Sequence, residues 1–379
     1  MVMAAELSSR QDTVSLFMAG DVMTGRGIDQ VLPHPGDPVL YEPYVRDARQ
    51  YVELAEIING PIQVPVDCQY IWGDALREWE RVLPDVRIVN LETSITTSNH
   101  HWVDKGIHYR MHPENAHCLA AAGIDVCALA NNHVLDWGYP GLTETLDTLN
   151  KIDVNYTGAG KDRHEAGAPA IIDVLDRGRV IVFSWGSGSS GIPAKWSAGE
   201  NRAGVNYLYD LSEDAVRRIR EEVKAVKQQG DIVVASIHWG GNWGYDIRDS
   251  HIGFSHQLID ETGIDVVHGH SSHHPRPLEI HNGKLIIYGS GDFINDYEGI
   301  GGYEAYRDDL VLMYFADIDR FTGKLVQLQM VPMKIRNFRL NRASREDALW
   351  LQKTLNREGG KYGTNIQINE EGVLIVPAE

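Results

Sequence analysis

The sequence predicts an α/β protein, one domain with a central sheet and helices packed on it. Three observations lead there. Short apolar runs of strand length alternate with helical patterns through the first 290 residues. The last part of the chain is richer in strands. No internal repeat or linker-like stretch divides the 379 residues, so they read as a single domain.

In chain order, the first apolar run, Val14 to Ala19, stops at Gly20-Asp21, as a short buried strand does. A polar, proline-rich segment then covers about residues 31 to 70, with one helical pattern around Tyr44 to Ile58. It is too long for a plain connection and is read as a lid-like insertion. A helix is expected near Trp72 to Arg81, and V-R-I-V-N (Val86 to Asn90) is the next strand, ending in Leu91-Glu92-Thr93. A helix starting near Pro113 leads into V-C-A-L-A (Val126 to Ala130), which ends in Asn131-Asn132-His133. Another helix, Gly141 to Asn150, precedes V-N-Y-T-G-A. Strands near Ala170 to Val174 and Val180 to Ser184 come before a long helix from Glu213 to Gln229. D-I-V-V-A-S-I (Asp231 to Ile237) ends in His238-Trp239-Gly240. I-D-V-V (Ile264 to Val267) runs into a histidine cluster, and K-L-I-I-Y (Lys284 to Tyr288) into G-S-G-D-F. The region from about 321 to 379 carries no motif and is read as completing the sheet.

Composition excludes some classes. A net charge of −18 leaves no basic face to neutralise phosphates, so no nucleic-acid partner is expected. The three cysteines lack C-x-x-C spacing, which reads as free buried thiols in a reducing compartment. The N-terminus has no basic n-region or useful apolar core, and no later stretch reaches the ~18 apolar residues of a membrane span. A cytoplasmic protein without membrane partners is expected.

Function is concentrated in the polar strand ends. Six times an apolar run stops and presents a metal-competent or acid/base side chain: Asp21, Glu92, Asn132-His133, His238, His270-x-x-His273 and Asp292. Each has an ordinary reading alone, as a turn residue, a helix cap or a core histidine. In open α/β sheets, however, ligands gather at the carboxyl ends of strands, so neighbouring strands would bring all six to one site. Carboxylates, an amide oxygen and imidazoles make a donor set for one divalent metal ion, with Mn²⁺, Fe²⁺, Zn²⁺ or Ca²⁺ all compatible. No organic cofactor is called for.

These residues resemble the calcineurin-like metallophosphoesterase pattern, and more closely its CapA branch, named for capsule and poly-γ-glutamate biosynthesis proteins. The carrying motifs are A-G-D-V-M (Ala19 to Met23), N-L-E-T (Asn90 to Thr93) and K-G-I-H-Y-R-M-H-P-E-N (Lys105 to Asn115). They continue as A-N-N-H-V-L-D-W-G (Ala130 to Gly138), S-I-H-W-G (Ser236 to Gly240), G-H-S-S-H-H-P (Gly269 to Pro275) and Y-G-S-G-D-F (Tyr288 to Phe293). The resemblance implies a four-layer α/β/β/α sandwich. It places Asp21, Glu92, Asn132, His238 and His270 or His273 at the metal, and makes His133, with Asp136 as its orienting carboxylate, the histidine acting near substrate. Two departures matter. Met23 stands where the two-metal phosphoesterases carry a histidine, and Leu91-Glu92 where they carry Gly-Asp. One metal site has therefore lost ligands, and a single ion is expected.

Two acid/base pairs then remain: His133 with Asp136, and a cluster histidine, His273, with Asp292 or Asp296. Facing each other across a bound carbon, they would remove a proton from one face and return it to the other. That is the requirement of a Cα epimerase acting on a peptide or small polymer, and some CapA-like proteins of lasso-peptide clusters are understood to be peptide epimerases. The expected substrate residue is C-terminal and bulky. Trp102 and Trp239 are candidates for its pocket, and Arg26 and Arg110 for a clamp on its carboxylate. The alternatives are a metal-dependent hydrolase of phosphoesters or γ-glutamyl amides, and a non-catalytic scaffold. Within the cluster, His268 is expected to pack in the strand and His274, beside Pro275, to face solvent.

Overall fold

Two sheets packed face to face form the centre of the protein, described by a computed structural model over residues 12–376. Residues 1–11, on which the leader reading rests, lie outside the described residues. In the larger sheet, Thr13–Val22 lies between the parallel Val86–Leu91 and the antiparallel Leu310–Asp319. Val126–Ala128 and Asn155–Thr157 extend the parallel half. Leu325–Ile335, Leu374–Val376 and Gln367–Ile368 extend the antiparallel half. In the smaller sheet, Ile232–His238 runs parallel to Gly178–Ser187 and Val266–His270. Lys284–Ile287 follows in parallel, and the antiparallel Leu278–His281 forms the edge.

Strand alternation explains the layers, because residues i and i+2 share a face. Val14, Leu16 and Met18 point between the sheets, where Val182, Val234, Val266 and Ile287 meet them. Phe17 and Ala19 face the other way, into the helical layer that buries Trp72, Trp79 and Leu146. On the far side, Phe183, Val233, Ala235 and Ile237 pack under the helices Glu213–Val226 and Asp249–Glu261. Each Val, Leu, Ile, Phe or Met side chain so taken from water contributes about 1.5–3 kcal/mol. The order of layers is α/β/β/α. Because both faces of each sheet are covered, these strands read as nearly unbroken apolar runs.

The helix Asp249–Glu261 is one element the sequence pattern did not reveal. Its run D-S-H-I-G-F-S-H-Q-L-I-D-E carries Gly253 and two serines, so its apolar stripe is thin. Topology requires it, since parallel neighbours need a crossover connection. In the segment 31–70, the helix starts only at Arg49 and runs to Asn59, burying Tyr51 and Ala55. Leu40, Ile62 and Val66 join the same core. Cys68, Cys118 and Cys127 are free, with the Cys68 and Cys118 sulfurs 2.7 Å apart. No described helix is long and apolar enough to cross a membrane.

Candidate metal and acid–base site

Parallel strands end on one edge, and that edge gathers the site. The ladder beside Thr13–Val22 slips by one residue at Gly20, placing Asp21 opposite both Asn90 and Asp292. Only glycine permits this, for a Cβ at position 20 would sit 1.8 Å from the Gly291 carbonyl oxygen. In the smaller sheet, His238 and His270 are cross-strand partners. The two sheets thus face each other across Asp21, His238 and His270.

Two groups of donors form there, and they share Asp21. Ligand atoms of Asp21, His238 and His270 lie within 4.8 Å of one another, as do those of Asp21, His273 and Asp292. His238 Nδ1 is 2.8 Å from His270 Nδ1, and His238 Nε2 is 2.8 Å from Asn132 Oδ1. Nitrogen lone pairs facing at that distance need a proton between them or a cation beside them. His270 Nε2 is steadied at 3.0 Å by the Ser236 hydroxyl. Asn90 donates to Asp21 Oδ1 at 2.7 Å and to Glu92 Oε2 at 3.2 Å, which leaves Asp21 Oδ2 buried without a hydrogen-bond partner. Burial raises Asp21 to about 6 and Glu92 well above the carboxylate range, the latter also because the Asp21 charge lies beside it. Buried carboxylates with an unpartnered oxygen, two imidazoles and an amide oxygen fit a divalent cation. Asp21 belongs to both donor groups.

Each histidine–carboxylate pair is built differently. His133 Nδ1 is 2.7 Å from Asp136 Oδ2, and the Tyr109 ring stacks on the imidazole at 3.8 Å. The fully buried Asp136 also receives the Tyr109 amide at 2.7 Å and an ion pair from Lys105, whose Nζ is 2.9 Å from His133 Nδ1. Burial, then the Lys105 charge, holds His133 well below its ordinary value, so the ring is neutral and its Nε2 edge faces Glu92 at 3.7 Å. In the other pair, His273 Nδ1 is 2.9 Å from Asp292 Oδ1, and Asn295 donates to Asp292 Oδ2 at 2.7 Å. Burial alone would lower His273, but the Asp292 charge overrides it and the imidazole is raised. The exposed Asn242 covers its Nε2 edge at 2.9 Å.

Five expectations are corrected. Arg26 is no carboxylate clamp: it is buried, ion-paired to Asp296 and Glu42 and bonded to the Tyr51 hydroxyl. This also takes Asp296 away from the histidine cluster. Arg110 is spent on Ser98, Asn99 and the Asp37 carbonyl, with its guanidinium 3.8 Å over the Trp137 ring. Trp239 is core, 1% exposed, stacked on His251 and donating to the Tyr288 carbonyl. His274 is wholly buried, stacked on Tyr306, instead of facing solvent. Trp102 lines a cavity of about 300 Å³, together with Lys105, Trp196 and Lys195. His268 is buried in its strand, 3.2 Å from Ser236 Oγ.

Lys105 and the relay of asparagines escaped sequence reasoning. Asn131 donates to Asn90 Oδ1 at 3.1 Å and accepts from the His133 amide, tying the Glu92 and His133 loops together. Both asparagines and Lys105 stand inside the quoted motifs, and that placement was the available signal.

The family described as Bacterial capsule synthesis protein PGA_cap matches residues 15–297. A probable polyglutamine synthesis accessory protein of Mycobacterium tuberculosis is 46% identical over 374 residues, 98% of each chain. The PGA biosynthesis protein CapA of Bacillus subtilis is 27% identical over 305 residues, 80% of this chain and 68% of that protein. The capsule biosynthesis protein CapA of Bacillus anthracis is 22% identical, covering 86% of this chain and 68% of that one.

Proposed function

Because this chain belongs to the bacterial capsule synthesis protein family, we propose that it is the metal-dependent enzyme of a polymer- or peptide-modifying system, epimerising the Cα of an amide-linked residue. One observation carries this reading: two separate histidine–carboxylate pairs stand at the donor groups centred on Asp21, His133–Asp136 beside Glu92 and His273–Asp292 within one of the groups. A divalent cation held by Asp21, Glu92, Asn132, His238 and His270 would polarise the carbonyl beside the reacting carbon. The neutral His133, its Nδ1 side tied to Asp136 and Lys105, takes the Cα proton on Nε2. His273, kept protonated by Asp292, returns a proton to the opposite face once substrate displaces Asn242. The C–H bond broken on one face is balanced by the one formed on the other, and the exchanged proton comes from solvent.

The substrate is a peptide-type chain, in keeping with relatives named for capsule and polyglutamine synthesis. A C-terminal bulky residue, as in a lasso-peptide precursor, suits the cavity walled by Trp102 and Trp196. Three free cysteines fit action in the cytoplasm.

A second reading, hydrolysis of a phosphoester or γ-glutamyl amide, is favoured by the sharing of Asp21 between two donor groups, since paired ions are how such centres activate water. Incubation with poly-γ-glutamate, with peptides of bulky C-terminal residue and with p-nitrophenyl phosphate, each in D₂O, separates the two. Deuterium at Cα in an uncleaved chain is the expected result. New termini or free phosphate without any Cα deuterium would overturn the epimerase.

A further inference from the structure

Away from this site, at the edge of the smaller sheet, a second set of donors has no assigned use. His256 and Asp260 stand one turn apart on the helix Asp249–Glu261, and Glu279 and His281 stand two apart on the edge strand Leu278–His281. Residues at i and i+4 share a helix face, and residues at i and i+2 share a strand face. The two pairs therefore meet across the gap between helix and strand. His256 Nε2 is 2.9 Å from Glu279 Oε1, and His281 Nε2 is 3.0 Å from Asp260 Oδ2. The two imidazoles lie against each other with centroids 3.9 Å apart. Donor atoms of His256, Glu279 and His281 all fall within 4.8 Å of one another.

We propose that His256, Glu279 and His281 form a second site for a borderline divalent cation, Zn²⁺ foremost, with Asp260 held beside His281. Two imidazoles and a carboxylate are a donor set that zinc takes, with the fourth tetrahedral position left to water or to Asp260 and no thiolate required. Ligand atoms around zinc sit about 3.3 Å apart, so the His256–Glu279 contact at 2.9 Å opens slightly while the wider separations, up to 4.8 Å, close on the ion. The supporting contacts are already present. Tyr288 donates to Glu279 Oε2 at 2.6 Å, leaving Oε1 for the ion, and Asn282 donates to Asp260 Oδ1 at 2.7 Å. Side-chain exposures of 30% for His256 and 19% for His281 leave a path for the ion from solvent. The consequence is mechanical. The edge strand is held by one neighbouring strand only, and the ion would clip it to the helix that joins the His238 and His270 strands.

The test compares the full-length protein with the His256→Ala/His281→Ala variant, which leaves the first site intact. Chelator-treated protein is titrated with Zn²⁺, the stoichiometry is read by calorimetry, and melting is followed with and without the ion. The wild type should bind one equivalent more than the variant and gain in melting temperature, and the variant should lose both effects. The milder Tyr288→Phe keeps the fold and should weaken this class of binding about ten- to hundredfold, as loss of a ligand's outer hydrogen bond does. Equal stoichiometry in wild type and variant would overturn the site and leave a hydrogen-bonded histidine cluster only. Because this readout needs no turnover, it stands apart from the reaction assigned above.

Discussion

Replacing Asp136 by asparagine isolates the work of its charge, since the shape is kept. The carboxylate is fully buried and receives three donors: His133 Nδ1, the Tyr109 amide and the Lys105 ammonium. Asparagine offers one accepting oxygen and turns the other position into a donor, so at least one of the three meets a donor. Removing one partner of a buried ion pair costs about 3–5 kcal/mol, most of it the penalty of stranding the other charge. The Lys105 side chain is 17% exposed, so the lower end, about 3 kcal/mol, applies here. Against a total of about 5–15 kcal/mol the variant still folds, with a clearly lower urea midpoint. Adding Lys105→Met removes the stranded cation, and the double variant should recover about 0.5–3 kcal/mol relative to the sum of the single changes. Cα exchange should fall about 10²–10⁴-fold in Asp136→Asn, as expected when a general base loses its orienting group. Lys105→Met should not restore it. Urea unfolding of the four proteins and the deuterium assay read both effects. Strictly additive stabilities, or a wild-type midpoint in Asp136→Asn, would refute the buried-triad reasoning.

Gly20→Ala forces a methyl into the Gly291 carbonyl and should cost about 1–3 kcal/mol or more while lowering metal occupancy, read by urea unfolding and elemental mass spectrometry. In the same elemental assay, Asp21→Asn and His238→Ala should each lose most of the metal, and full retention would overturn the ligand set. Burial, with Arg248 and Arg276 nearby, depresses His251 to about 4 from 6.5. The unfolded chain takes up that proton first, so the stability contributed by the neutral ring is present above pH 6.5 and lost as pH falls from about 6.5 to 4. At about 1.4 kcal/mol per pH unit this amounts to at most about 3–4 kcal/mol, and His251→Phe should flatten that part of the urea-midpoint profile. The thiols of Cys68 and Cys118, 2.7 Å apart, should cross-link under diamide with loss of two hydrogens, seen by intact mass and abolished in Cys118→Ser.

The strand ends were legible because their chemistry is local. A buried strand needs an apolar run, and a ligand at its end interrupts that run at once, so Asp21, Glu92, His133, His238, His270 and Asp292 stood out along the chain. The glycine at position 20 was visible too, but its reason, a carbonyl from residue 291, was not. A side chain's partner is a tertiary fact. Arg26 and Arg110 look like ligand clamps beside their motifs, yet Asp296, Glu42 and the Asp37 carbonyl reach them from distant segments and consume their donors. Lys105 lies 28 residues before His133, and only the folded loop puts its ammonium on the His133–Asp136 pair. The helix Asp249–Glu261 was hidden by a weak stripe that gains its stability from the sheet it covers. Donor types and their order were thus written in the sequence. Which donors stay free for a cation or substrate was decided by burial and by contacts between residues far apart in the chain, which periodicity cannot encode.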